Sequence, residues 1–121
     1  MSKQVGRRKR TSKPDQERVE VAKLDKLVEE ATVDCYNRSE EITGLFTMIE
    51  GNLELPFKTD VLGVRVMVIR VDLTDAEEIV VICTRGRARQ AIPLLELPLP
   101  VPPPPGAEWI DAYRHWACGG H

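Results

Sequence analysis

Apolar positions along the chain follow a helical period first, a strand period next and a helical period again at the end. Val21, Leu24, Val28 and Ala31, with Leu27 beside them, recur at intervals of three and four. This stripe predicts a helix that begins at Asp15, its candidate cap, and fades near Asp34 to Asn37. Ile42, Leu45, Phe46, Ile49 and Leu53 form a second stripe. Ser39 is the candidate cap there. Glu40 and Glu41 sit in the first turn, where the helix dipole favours negative charge, and Gly51-Asn52 marks the exit.

Pro56-Phe57 ends the helical period, and residues 58–73 are valine-rich and alternate. Val64, Val66, Val68 and Arg70 fall to one side, and Arg65, Met67, Ile69 and Val71 to the other, with a bend or bulge expected at Gly63. Thr74-Asp75-Ala76-Glu77 reads as a polar turn and Glu78 to Thr84 as a strand. Arg85-Gly86-Arg87 reads as a tight turn into a short strand, Ala88 to Ile92, stopped by Pro93. Leu99 to Pro105 is a proline-dense, extended strap that carries the chain across the domain. Trp109, Ala112, Tyr113 and Trp116 then share one face of a short C-terminal helix that should dock on the sheet. The expected class is α+β: two N-terminal helices, a small antiparallel SH3-like barrel sheet and a short C-terminal helix. Residues 15–121 form the single domain and residues 1–14 a disordered basic arm.

Charge sharpens this division. The 121 residues carry a net charge of −2, but residues 1–13 hold six basic and no acidic side chains. The rest holds eleven basic against nineteen acidic residues, a net of −8. The domain should attract cations and the arm a nucleic acid or an acidic partner, weakly. Cys35, Cys83 and Cys118 are three in number and widely spaced, which reads as free thiols of a cytoplasmic protein. No run of about 18 apolar residues is present, so no membrane contact is expected. The chain reads as a monomer.

Ser39-Glu40-Glu41, Gly44 and Glu50-x-Asn52-Leu53-x-Leu55-Pro56-Phe57 resemble the first half of the CcbP-type calcium-binding proteins. The valine-rich strand, the strand at 78–84, the turn at Gly86-Arg87, Ile92-Pro93-Leu94-x-x-Leu97 and the Trp-containing last helix resemble the second half. The resemblance spans about residues 34–117 and implies a small calcium buffer or sensor without EF-hands, holding ions on an acidic surface. The chain departs from that family in its longer proline strap and smaller acidic excess.

Calcium takes six to eight oxygens, so a useful site gathers several carboxylates and carbonyls. No D-x-D-x-D-G loop is present, and the ligands must come from turns or from the fold. Asp72, Asp75, Glu77 and Glu78 surround one predicted turn. Glu40 and Glu41 stand at a helix start, and Glu50, Glu54 and Asp60 lie around the helix-to-strand corner. Only Lys58, Arg65 and Arg70 oppose these nine between residues 39 and 84.

Catalysis is not expected. His115 and His121 are the only histidines, Cys118 and His121 make at most half a zinc site, and no phosphate-cradling glycine loop occurs. The alternative function is a small-barrel interaction module that binds RNA, DNA or a protein through the arm and the hairpin arginines Arg85, Arg87 and Arg89.

Overall fold

A computed structural model of the protein describes residues 20–119. The arm, Asp15 and His121 lie outside the described residues. Helix α1 covers residues 20–31, and α2 runs Arg38–Asn52. Strands β1 (Phe57–Val61), β2 (Val64–Leu73), β3 (Ile79–Arg85) and β4 (Ala88–Pro93) follow, then a 3-10 turn at Leu94–Glu96 and helix α3 (Glu108–Ala117). The class is α+β, with the helices before and after the sheet as the periodicity predicts.

The sheet is an antiparallel meander in the order β1-β2-β3-β4. Its first hairpin turns at Leu62 and Gly63, both with positive φ (50° and 78°). That pair of left-handed residues matches the right-handed twist of the flanking strands. Gly63 therefore makes the turn, and the bulge expected there lies further on. Val68 pairs with Cys83 but Arg70 pairs with Ile82, so Ile69 is the extra residue. The slip reverses the alternation that a straight strand would keep. Val71 returns to the inner face beside Val68, and Arg70 turns outward, the opposite of the sequence expectation.

The inner face carries Val68, Val71, Ile79, Val81 and Cys83, which meet Ile42, Leu45 and Ile49 of α2 and Leu53 at its C-cap in one core. Leu45, Ile49, Ile79, Leu94, Leu97 and Ile110 are fully buried. Each such side chain contributes about 1.5–3 kcal/mol by leaving water. Trp109, Ala112, Tyr113 and Trp116 are all buried, so the last helix docks by its aromatic face as its spacing predicts. Val21 departs from its stripe and is 45% exposed, while Val28 and Ala31 enter the core.

Close packing of α1 on α2 depends on Gly44, where an added Cβ would overlap the carbonyl oxygen of Ala31. His115 Nε2 lies 2.7 Å from Asp25 Oδ1, which ties α3 to α1. The strap is fastened at both ends. Thr59, 3% exposed, donates its hydroxyl to the Pro98 carbonyl at 2.6 Å, and the Glu54 N–H donates to the Pro105 carbonyl at 2.9 Å. Between these ties Val101 is 96% exposed. The Arg114 guanidinium donates to the carbonyls of Leu94 and Leu97, holding the 3-10 turn against α3.

Candidate functional site

The nine acidic candidates distribute over both ends of the sheet. The β2–β3 turn carries Asp75, Glu77 and Glu78, with Glu77 at a positive φ of 62°. The turn closes through paired hydrogen bonds from Thr74 N–H to the Glu78 carbonyl and from Glu77 N–H to the Thr74 carbonyl, both at 2.9 Å. That conformation aims Glu77 at the start of α2, where Ser39 donates its hydroxyl to Glu77 Oε2. The cap of α2 is accordingly Asn37, whose Oδ1 accepts from the Glu40 N–H at 2.9 Å. Ser39 sits one residue inside the helix and bridges to the turn instead of capping.

Glu40 and Glu41 are each partly engaged. Glu40 Oε1 accepts from the Tyr36 N–H at 2.7 Å, and Glu41 Oε1 accepts from Trp116 Nε1 at 3.0 Å. The Arg38 guanidinium lies over the Trp116 ring at 4.2 Å, adding one positive charge to an otherwise acidic neighbourhood. Two neighbours respond to burial first and to these charges second. Partial burial, together with the carboxylates of Glu40, Glu41 and Asp34, pushes the Cys35 thiol up from its ordinary value. Burial also pushes the Tyr113 phenol up; a backbone hydrogen bond from Ile79 opposes this, Glu78 reinforces it and Arg38 opposes it.

The other candidates stand apart. Asp72 lies on the outer face, where its Oδ2 is 3.6 Å from Arg70 Nη2. Asp60 is paired with Arg65 at 2.7 Å, and Glu50 and Glu54 are exposed in the last turn of α2 and on the loop that follows it. The structure thus brings the β2–β3 turn (Asp75, Glu77, Glu78) to Glu40 and Glu41 at the start of α2, and leaves Asp72 and the helix-to-strand corner (Glu50, Glu54, Asp60) elsewhere. Among the described residues, no three His, Cys, Asp or Glu side chains converge as a preformed metal cage.

Sequence reasoning missed the Ser39–Glu77 bridge and the use of Glu41 as acceptor for Trp116. Both join residues far apart in the chain, and no local spacing encodes them. The three cysteines are free, with Cys35 partly buried, Cys83 buried and Cys118 exposed. No described helix is long and apolar enough to cross a membrane. The chain matches no family model, no curated protein and no solved structure.

Proposed function

We propose that this domain binds calcium ions at the acidic surface where the β2–β3 turn meets the first turn of α2. The carrying observation is the Ser39–Glu77 hydrogen bond, which draws two acidic segments of the chain to one place. Glu77, Glu78 and Asp75 from the turn and Glu40 and Glu41 from the helix supply the candidate ligands. Each glutamate already engaged through one oxygen keeps the other for an ion. The resemblance to the CcbP-type proteins supports the same reading. An open surface with Arg38 nearby holds ions weakly, with a dissociation constant on the order of 10⁻⁵ to 10⁻³ M. Such a site suits a buffer or a low-affinity sensor.

Titrating ¹⁵N-labelled protein with CaCl₂, and with MgCl₂ as control, tests this. Saturable amide shifts at residues 39–41 and 75–78, larger for calcium and reduced in Glu77→Gln/Glu78→Gln, are expected. Unchanged spectra to several millimolar calcium would sink the proposal. A second reading rests on the other end of the sheet. Among the described residues, none of Arg85, Arg87 and Arg89 has a carboxylate within 4.0 Å. RNA binding that weakens steeply with salt and is lost on neutralising these arginines would support it.

A further inference from the structure

The helices cover only part of the inner sheet face. Toward the tips of the β1–β2 and β3–β4 hairpins that face stays open as a cleft of about 580 Å³. This is within the size range of small-ligand sites. Its floor is apolar: Val61, Val64, Val66 and Ile92 are half-buried and Cys83 is buried. Strand pairing places Gln90 opposite Cys83 and Ala88 opposite Arg85, so Arg85 and Gln90 rise from the inner face at the mouth. Arg85 and Arg89 are the basic lining residues and Glu96 the single acidic one.

We propose that this cleft binds a small amphipathic carboxylate, with its hydrocarbon on the valine floor and its carboxylate at Arg85, assisted by Gln90. Burial pushes the Cys83 thiol up, so the floor carries no charge at neutral pH. A polyanion would use the arginines but leave the valines wet, whereas a hydrocarbon without a head group would leave the arginines unused. A planar guanidinium matches a carboxylate through two parallel hydrogen bonds. The site lies at the end of the sheet opposite the proposed calcium surface and stands independently of it.

The test is an amide-shift titration of the full chain with sodium octanoate, using octan-1-ol and octylammonium chloride as neutral and cationic controls. Saturable octanoate shifts centred on Val64, Val66, Cys83 and Ile92 are expected, about tenfold tighter than for the alcohol, because one charge-assisted contact supplies that factor. Arg85→Gln with Arg89→Gln, both at exposed positions, should bring octanoate to the affinity of the alcohol. Val66→Trp should fill the cleft and abolish binding of both. The absence of saturable shifts, equal affinity for all three head groups, or octanoate binding unaffected by the arginine pair would each overturn the proposal.

Discussion

Gly44 offers the sharpest test of how the helices are arranged. Two opposing effects follow from replacing it with alanine. Relief of glycine's backbone entropy inside a helix stabilises by up to about 1 kcal/mol. Against this, the new Cβ would fall under 3.0 Å from the Ala31 carbonyl oxygen, with Cys35 Sγ close behind. The nearest obstacle is backbone, so it cannot rotate away, and α1 must shift off α2. Overpacking of this kind costs about 1–3 kcal/mol, and a displaced α1 also forfeits part of the burial of Val28 and Ala31. The net expectation for Gly44→Ala is a loss of about 1–3 kcal/mol. Gly51 provides the control. It lies in the same helix with nothing within 4 Å of an added Cβ, so Gly51→Ala should be neutral or gain up to about 1 kcal/mol. Urea unfolding, comparing midpoints at constant slope, reads both. In a domain of this size the glycine-44 variant should melt several degrees lower, at about 4–8 °C per kcal/mol. If Gly44→Ala matched or exceeded Gly51→Ala in stability, the close α1–α2 packing would be refuted.

Three further outcomes follow from the same contacts. Thr59→Val removes the hydroxyl that meets the Pro98 carbonyl, so a loss of about 1–3 kcal/mol is expected in chemical denaturation; an unchanged midpoint would mean the strap is not fastened there. Trp116→Phe keeps the aromatic packing but withdraws the donor from Glu41, and should cost about 1–2 kcal/mol while leaving far-UV circular dichroism intact. Burial pushes the Asp111 carboxyl up; Arg114 opposes this, and Glu108 and Glu20 add to it. A carboxyl raised in the folded state burdens folding only once it ionises, so the cost is absent at low pH and appears as pH rises through the ordinary carboxylate range. Asp111→Asn should therefore melt with wild type near pH 3 and above it near pH 7, and a constant difference across that range would contradict the assignment.

The elements were legible in the sequence because their signals are local. The stripe of Ile42, Leu45, Phe46, Ile49 and Leu53 and the set of Trp109, Ala112, Tyr113 and Trp116 each specify a buried face by spacing alone. The first hairpin was not legible in this way: residues 58–73 read as one alternating run with a bend or bulge at Gly63, whereas the chain reverses at Leu62-Gly63 and pairs the two halves as β1 and β2. What escaped depends on pairing between distant segments. The bulge at Ile69 is set by how β2 registers against β3, and a straight alternation assigned Val71 to the wrong face. The same limit applies to the candidate site. The acidic character of the β2–β3 turn and of the start of α2 is written in composition. Their meeting through Ser39 and Glu77 is not, because it requires the sheet to carry the turn back to a helix 38 positions earlier. Asn37 took the capping role from Ser39 for a related reason: both residues favour caps, and only the tertiary contact decides which is free to serve.

The alternating course of the strands also sorts charge by distance. The acidic β2–β3 turn and the arginine-bearing β3–β4 tip lie at opposite ends of β3, and the seven residues of that strand span roughly 20 Å at the usual rise. The sheet is therefore an electric dipole with its axis along the strands. Two such molecules attract most strongly end to end, the basic tip of one against the acidic turn of the next. This contact is heterologous and leaves a free end of each kind, so it extends into open strings and does not stop at a pair. Its range is that of the ionic atmosphere, about 10 Å at 0.1 M salt, so any such contact would strengthen as salt is diluted and be screened at physiological salt. Light scattering that rises as ionic strength falls, and returns to the monomer value when Arg85, Arg87 and Arg89 are neutralised, would be the signature of such contacts; a flat signal would mean that the acidic excess of the domain outweighs its dipole.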